Sequence, residues 1–251
     1  SLNEEDIQKF LDRRKPGQSR YTTARKEGDL VEILSGVFEG KTTGTPISLI
    51  VRNTDQRSRD YGNIAYTYRP GHADFTFDAK YGFRDYRGGG RSSGRETIGR
   101  VAAGAIAAKI LETLEISFYT YTKSIGPVKI ESFDAEEISK NAFYMPDAKA
   151  AEAAGAYLEE CMKNQDSAGG IIECRIKNVP AGLGNPVFEK LDAVLAEAVM
   201  SIGAVKAVEI GDGIQVSAMK GSEDNDGFHM ENGQITKNSN HAGGIMGGMS
   251  D

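Results

Sequence analysis

Arg91-Ser92-Ser93-Gly94-Arg95-Glu96-Thr97 opens a run of small and apolar residues that continues to Leu111. Ser93 and Glu96 lie three positions apart in the pattern of a capping box, which predicts that a helix begins here. Alanine and glycine lie on nearly all sides of that helix, so we expect it to be buried on more than one side. The sequence therefore predicts an internal helix with a defined starting point.

Helices and strand pairs are predicted on both sides of this helix. Hydrophobic periodicity and turn residues indicate helices at 3–13, 148–163 and 186–201, and strands at 31–37, 47–51, 172–179, 205–210 and 214–218. Asn3 is the predicted cap of the first helix, and Asn185 before Pro186 marks the predicted start of the last. Residues 52–90 are glycine-bearing and aromatic, which indicates a long functional loop. Strand pairs combined with long helices favour the α+β class.

Length and composition narrow the class of protein. A chain of 251 residues with 39% apolar side chains is predicted to form one domain. It has no apolar stretch near the ~18 residues that a membrane span needs, and its acidic first residues are unlike a signal peptide. We therefore expect a soluble, cytoplasmic protein with no membrane partner. Cys161 and Cys174 favour reduced thiols over a single disulfide, and neither lies at metal-ligand spacing from a histidine, so no metal site is predicted.

Positive charge is concentrated in one section of the chain. Thirteen of the fourteen arginines lie between Arg13 and Arg100, a section with 17 basic and 10 acidic residues in a chain whose net charge is -6. The planar guanidinium group binds carboxylates and phosphates in a fixed two-point geometry. This section is therefore predicted to bind anions.

The start of the predicted internal helix is a candidate anion site. Backbone N–H groups at a helix start, two serine hydroxyls and two arginines favour a phosphate-bearing ligand. Gly88, Gly89 and Gly90 come directly before it and let the backbone approach a ligand closely. The alternative is an ordinary capped helix with solvated arginines. The basic loop around Arg14 and Arg20 is a second candidate, for which a solvated or nucleic-acid-binding surface is the alternative.

Histidines supply the candidates for proton transfer. His72 lies on a turn beside Arg69, and its imidazole titrates near neutral pH, as acid–base catalysis requires. The alternative is a loop histidine without a catalytic role. His241 lies next to a glycine-rich segment and is a weaker candidate for lining a site, whereas His229 is predicted to face solvent.

Eight motifs along the chain form one ordered pattern. They are DRRKPG (12–17), GKTTGTP (40–46), RPGHAD (69–74), DYRGGGRSS (85–93), PAGLG (180–184), MSIGAVK (200–206), EIGDG (209–213) and SNHAGG (239–244). In this order they resemble the chorismate synthase family. The resemblance implies a β-α-β sandwich, with helices between two antiparallel sheets, and assembly as a homotetramer. It also implies 1,4-elimination of phosphate from 5-enolpyruvylshikimate 3-phosphate to give chorismate, with reduced FMN as cofactor.

The same resemblance implies roles for individual residues. The flavin-binding positions would be Arg91, Ser92, Ser93, Gly203, Ala204 and Gly247. The substrate-binding positions would be Arg14, Arg20, Arg69 and Arg95. His72 would be catalytic, lying near the reduced flavin and managing its proton.

Three family segments have no counterpart in the 251 residues. These are the upstream Gly-Glu-Ser-His-Gly motif and the downstream Lys-Pro-Thr-x-Ser and Arg-x-Asp motifs. We therefore expect a single chorismate synthase domain over residues 1–251 that lacks the family's N- and C-terminal segments. Because the leaving-phosphate acid and a proton-accepting Asp belong to those segments, we expect the 251 residues alone to be inactive or nearly so.

The competing hypothesis is a non-catalytic anion-binding or RNA-binding module. It is based on the arginine-rich section and its interleaved aromatic residues. The overall acidity disfavours it, so no nucleic-acid partner is expected. An additional NADPH-dependent flavin reductase activity is left open by the sequence.

Overall fold

The computed structural model describes residues 1–22, 28–53, 65–87 and 93–251. These residues form two compact units, Ser1–Ile176 and Lys177–Asp251. The helices of the first unit are α1 (Glu4–Arg14), α2 (Asp74–Tyr81), α3 (Thr97–Glu112) and α4 (Ala148–Lys163). Its strands are β1 (Val31–Ser35), β2 (Val37–Phe38), β3 (Lys41–Thr42), β4 (Ser48–Val51), β5 (Ser117–Ile125), β6 (Val128–Lys129) and β7 (Gly170–Lys177).

Helix α1 packs its apolar side on α3 and on the strand pair of β1 and β4. Ile7 and Leu11 are fully buried in one core with Ala102 and Ala105. Complete burial of a side chain of this size stabilises a protein by about 1.5–3 kcal/mol. Asn3 caps α1 through a capping box, which confirms the predicted helix and its start.

The start of α3 differs from the predicted capping box. Gly94–Glu96 form a 3₁₀ turn, and the α-helix begins at Thr97 without a side-chain cap. The Glu96 carboxylate instead accepts a hydrogen bond from Arg100 Nε at 2.9 Å, one turn further along the helix. Arg100 therefore occupies the carboxylate that a capping box would use for the Ser93 backbone N–H group. The capping-box pattern includes only positions 93 and 96, so it does not take this arginine into account.

The predicted burial of α3 on more than one side is also wrong for the part of the chain that the structure describes. Ala102 and Ala105 are its buried residues, and they lie on the side that faces α1. Small residues permit close packing, but a second element must lie over them before they are buried.

The strands at the start of the chain were predicted correctly. β1 and β4 are antiparallel, with Val31 opposite Val51, and β2 and β3 form a hairpin between them. The predicted loop at 52–90 is wrong for Asp74–Tyr81, which is helix α2 and ends at Gly82 with a left-handed φ of 79°. Residues 54–64 and 88–90 of that loop lie outside the described residues.

Helix α4 and the sheet β6-β5-β7 have their own apolar core around Met145 and Ala154. The predicted helix at 148–163 is confirmed, and the strand predicted at 172–179 is β7. Asp147 caps α4 with Oδ1, which accepts hydrogen bonds from the N–H groups of Lys149 and Ala150.

The second unit contains α5 (Leu191–Met200), α6 (Gly221–Asp224), β8 (Phe228–Glu231), β9 (Gln234–Lys237), β10 (Ile245–Met246) and β11 (Met249–Ser250). Helix α5 begins five residues after the predicted Pro186, because Asn185 exchanges backbone hydrogen bonds with Glu189 instead of capping a helix. Residues 214–218 lie in a 3₁₀ helix, and 205–210 have no regular structure, so both predicted strands are wrong.

Cys161 and Cys174 are free thiols, as interpreted from the sequence. No helix in the described ranges combines the length and hydropathy that a membrane crossing requires. Helices together with antiparallel strand pairs confirm the α+β class.

Candidate functional site

A buried carboxylate organises the turn before α2. Asp74, which is 4% exposed, accepts hydrogen bonds from Arg69 Nε and Nη2 at 2.9 Å each and from the Arg69 backbone N–H at 3.0 Å. His72 Nδ1 lies 2.9 Å from Asp74 Oδ1 and 3.1 Å from Arg69 Nη2. The turn therefore places Arg69 and His72 side by side, as their shared motif predicted, and adds the Asp74 carboxylate to them.

Arg84 is a second arginine beside the Asp74 carboxylate. Its guanidinium, on a 7% exposed side chain, donates to Asp78 Oδ2 at 2.7 Å and lies 3.7 Å from Asp74 Oδ1. The hydrogen bonds from Arg69 hold the pKa of Asp74 far below its usual value of 3.8, against the opposing effect of burial. Asp74 is therefore ionised throughout the neutral range, between two arginines and an imidazole.

Arg14 links α1 to the start of α3. Its Nη1 donates to Asp29 Oδ2 at 2.7 Å, its Nε to Thr97 Oγ1 at 3.1 Å and its Nη2 to the Gly94 carbonyl at 3.2 Å. The Asp29 side chain is 2% exposed, so this ion pair is largely shielded from water. Arg14 therefore lies against the turn that carries Ser93 and Arg95.

Arg20 lies in a different environment. It donates to the Tyr21 hydroxyl at 2.6 Å and forms an ion pair with Glu159 of α4. The Tyr21 hydrogen bond and the Glu159 charge raise the pKa of Arg20 above its ordinary value. A cavity of about 350 Å³ beside it is lined by Glu152 as well as Glu159. Two carboxylates make this cavity a poor site for a highly anionic ligand, so Arg20 remains only a prediction from the resemblance.

The predicted flavin-binding residues fall into three groups. Arg91 and Ser92 lie outside the described residues. Ser93 precedes the 3₁₀ turn that leads into α3. In the second unit, Gly203 and Ala204 lie in an exposed turn after α5, and Gly247 lies between β10 and β11.

His241 forms an imidazole–carboxylate pair within the second unit. Its Nδ1 lies 2.6 Å from Asp212 Oδ2, and its backbone carbonyl accepts the Asp212 N–H at 2.9 Å. This close approach requires glycine at 211, because a Cβ there would lie 1.9 Å from the His241 carbonyl oxygen. The hydrogen bond to Asp212 raises the pKa of His241 above 6.5.

We expect the His241 imidazole to titrate above pH 6.5 in the folded protein and to return toward that value in Asp212→Asn. A raised folded-state pKa contributes stability that is fully present below the unfolded pKa and is lost as pH rises through the folded pKa. The wild-type advantage in unfolding free energy should therefore be largest at acidic pH. NMR titration of the imidazole protons and urea unfolding at several pH values measure both effects, and a pH-independent difference would contradict them.

Neither the place of Asp74 in the site nor the pairing of the arginines was predicted from the sequence. The described arginines with carboxylate partners include Arg14, Arg20, Arg52, Arg69, Arg84, Arg87 and Arg100. Asp74 had one visible signal, its place in RPGHAD two residues after the histidine. Asp29 and Glu159 are remote in sequence from the arginines with which they pair, so no local pattern indicated them as partners.

Arginine and histidine beside a buried carboxylate are side chains suited to binding anionic ligands and exchanging protons, as in enzymes that act on anionic substrates. The model of the chorismate synthase family matches residues 1–251. Chorismate synthases of Agathobacter rectalis and Lachnoclostridium phytofermentans are 65% and 63% identical to the chain. Each match covers the whole of this chain and 69% of the relative's length. A crystal structure of chorismate synthase matches with a TM-score of 0.82 and 32% identity, over 100% of this chain and 73% of that one.

The chain belongs to the chorismate synthase family. Members of this family are lyases that act on phosphates in the shikimate pathway of aromatic amino acid biosynthesis. Their reaction eliminates phosphate from 5-enolpyruvylshikimate 3-phosphate to give chorismate. The predicted fold is confirmed by the match to the solved chorismate synthase.

Proposed function

We propose that Arg14, Arg69 and Arg95 bind 5-enolpyruvylshikimate 3-phosphate, that Arg20 joins them on the basis of the family resemblance alone, and that His72 lies near the reduced flavin and manages its proton. The observation that carries this proposal is the 3.1 Å separation of Arg69 Nη2 and His72 Nδ1. A cation that attracts the anionic substrate is thereby adjacent to an imidazole, a side chain that acid–base catalysis uses often. Both side chains keep partial solvent access, with 30% and 25% of their surfaces exposed.

The start of α3 supports the binding of a second anionic group. Arg14 adds its positive charge at the Gly94 carbonyl, beside Ser93 and the partly buried Arg95. Helix α3 is 16 residues long, and the positive end of its dipole adds to the positive potential at this turn. A substrate with a phosphate and two carboxylates needs several cations of this kind.

We propose reduced FMN as the cofactor, with Arg91, Ser92, Ser93, Gly203, Ala204 and Gly247 as its binding positions. The space beside the backbone is open at Gly203 and Gly247, because an added Cβ at either position meets nothing within 4 Å. When bound, reduced FMN supplies the electron density that assists departure of phosphate. The chain's own part is to bind the two phosphorylated molecules and to hold a proton on the His72 imidazole.

We also propose the domain organisation, the location, the assembly and the partner of the protein. Residues 1–251 form one chorismate synthase domain, the protein acts in the cytoplasm, and it assembles as a homotetramer. Its partner is the small-molecule substrate, without nucleic acid or membrane. Family membership supports these statements.

Paired binding experiments separate the enzyme from the RNA-binding module. We expect the chain to quench FMN fluorescence on titration and to show no salt-sensitive retention of RNA. Strong RNA retention that falls steeply with salt, without flavin binding, would favour the module instead.

Turnover is best measured in two forms of the protein. One is the 251-residue chain, which we expect to be inactive or nearly so. The other is a chimera in which this chain replaces the matching 69% of the Agathobacter rectalis chorismate synthase. Chorismate formation by the chimera with chemically reduced FMN tests the proposed activity. A second assay, with oxidised FMN and NADPH, tests whether the protein reduces its own flavin.

We expect Arg95→Gln to weaken substrate binding about 10-fold or more, because a charge-assisted hydrogen bond contributes roughly 1.5–3 kcal/mol. Arg87→Gln is the matched control, since Arg87 is 60% exposed and pairs at 3.5 Å with the exposed Asp85. Calorimetric titration of the chimera with 5-enolpyruvylshikimate 3-phosphate measures both variants. Equal affinities for the two variants would remove Arg95 from the substrate site.

A further inference from the structure

We infer that Asp29 and Thr97 are positioning residues that fix the guanidinium group of Arg14 at the first turn of α3. Two separate parts of the chain thereby orient one arginine, the segment before β1 and the first residue of α3. That Arg14 binds the substrate rests on the proposed function. The hold of these two side chains on its guanidinium is tested apart from that function.

The guanidinium of Arg14 is held through all three of its nitrogens. Nε donates to Thr97 Oγ1 at 3.1 Å, Nη2 to the Gly94 carbonyl at 3.2 Å and Nη1 to Asp29 Oδ2 at 2.7 Å. Because the group is planar and its N–H directions are fixed, three acceptors determine its orientation as well as its position. Among the described residues, these acceptors leave N–H groups of the same guanidinium for an anionic ligand, and 20% of the side chain is exposed.

The carboxylate of Asp29 is itself held in place. Its side chain is 2% exposed, so little water competes with Arg14 for it. The backbone of Asp29 has a left-handed φ of 44°, and its carbonyl accepts a hydrogen bond from Gln8 Nε2 at 3.3 Å. The Val31 N–H donates to Gln8 Oε1 at 3.1 Å. Helix α1 therefore holds the segment that carries Asp29, and Asp29 holds the arginine at the end of the same helix.

Thr97 connects the arginine to the start of α3. Its hydroxyl accepts from Arg14 Nε and donates to the Gly94 carbonyl at 2.7 Å, the same carbonyl that accepts from Arg14 Nη2. Nε and Nη2 are therefore held side by side against one turn of backbone. A substitution that removes only the Thr97 hydroxyl separates this contact from the charge of the arginine.

A role of Asp29 in charge balance alone predicts the opposite effect from a role in positioning. A carboxylate 2.7 Å from Arg14 Nη1 weakens the positive potential that attracts an anionic substrate. If charge balance were its whole role, removing the carboxylate charge would tighten substrate binding. If the carboxylate positions the guanidinium, the same change loosens the arginine and weakens substrate binding.

Calorimetric titration of the chimera with 5-enolpyruvylshikimate 3-phosphate decides between these roles. We expect Asp29→Asn to weaken substrate binding about 5-fold or more, because the neutral amide is a weaker acceptor for a guanidinium. Asparagine tolerates a left-handed backbone, so the turn itself is kept. Glu32→Gln is the matched control, since the exposed Glu32 of β1 pairs with Arg52. An affinity of Asp29→Asn equal to or tighter than that of Glu32→Gln would overturn the inference.

Thr97→Val and Thr97→Ser form a second matched pair. Valine keeps the approximate size of threonine without its hydroxyl, whereas serine keeps the hydroxyl. We expect Thr97→Val to raise KM about 3-fold or more with a smaller change in kcat, as for the loss of one hydrogen bond that supports substrate binding. Thr97→Ser should restore the wild-type KM. Equal KM values for the two variants would overturn the part of the inference that concerns Thr97.

Hydrogen exchange in the 251-residue chain separates this inference from the proposed function. The Arg14 Nε–H signal, assigned by its loss in Arg14→Gln, should exchange slowly in the wild type and faster in Thr97→Val and Asp29→Asn. Unchanged exchange in the folded variants would overturn the positioning inference. The control for Arg14→Gln is Arg13→Gln, an exposed arginine in the same last turn of α1. If these two variants bind substrate equally well, the proposed role of Arg14 fails, and the exchange rates alone decide what holds its guanidinium.

Discussion

Replacing His72 with asparagine is expected to lower chorismate formation by the chimera about 100-fold or more, because general acid–base catalysis contributes roughly 10²–10⁴-fold to a rate. Asparagine keeps a polar side chain beside Asp74 and Arg69 but lacks the imidazole ring. Initial rates with saturating 5-enolpyruvylshikimate 3-phosphate and reduced FMN measure the effect on kcat.

His229→Asn is the control for this substitution. His229 lies on β8 with 43% of its side chain exposed and approaches Glu231 only to 4.0 Å. Its replacement should leave turnover and flavin binding close to wild type. A His72→Asn enzyme as active as His229→Asn would exclude the imidazole from proton transfer.

Asp147→Ala is expected to lower the free energy of unfolding by about 2–4 kcal/mol, the largest effect on stability that we predict. Asp147 is 6% exposed, and its two carboxylate oxygens accept four backbone hydrogen bonds. Oδ1 caps α4, and Oδ2 holds the N–H groups of Glu131 and Ser132 at 2.9 and 3.0 Å. Alanine therefore removes the helix cap and leaves the Glu131–Ser132 segment without its acceptor. Urea denaturation followed by circular dichroism measures the loss.

The pH dependence of this effect has a defined sign. Hydrogen bonds from the N–H groups of Glu131 and Ala150 hold the pKa of Asp147 well below 3.8. A lowered folded-state pKa contributes stability that is present above the unfolded value and is lost as pH falls through the folded value. The difference between wild type and Asp147→Ala should thus be constant near neutrality and shrink in strong acid.

Asp134→Ala is the matched control in the same segment. Asp134 is exposed, and its carboxylate accepts a hydrogen bond from the Glu136 N–H at 2.9 Å. The expected loss is below about 1 kcal/mol, as for an ordinary surface hydrogen bond. Equal losses for the two variants would contradict the role of Asp147.

The fold was predictable where local signals agree with packing. The α4 helix has alanine-rich periodicity and an aspartate cap directly before it, and its predicted bounds are confirmed. The strand predicted at 214–218 failed because alternating apolar residues there form a 3₁₀ helix. The period of such a short apolar segment does not distinguish a strand from a helical turn.

The candidate site was predictable in its residue types and less so in its partners. Arg69 and His72 were found because they share one turn with a recognisable motif. Asp74 was missed as a functional residue, because only the turn and the start of α2 bring its carboxylate to both side chains. All six predicted flavin positions remain predictions.

By itself, the sequence determined the α+β class, the concentration of arginine in one section and the resemblance that the family match confirms. These properties depend on composition and on motif order along the chain. Only the tertiary structure decided how the arginine charges are used. Arg14 and Arg20 are paired with Asp29 and Glu159, and Asp29 is almost fully buried. Such partners are separated by many residues, so their pairing follows from packing and from the cost of burying an uncompensated charge rather than from any local pattern. The start of α3 illustrates the same division, because the sequence predicted a helix there, whereas the fold decided that Arg14 lies against its first turn.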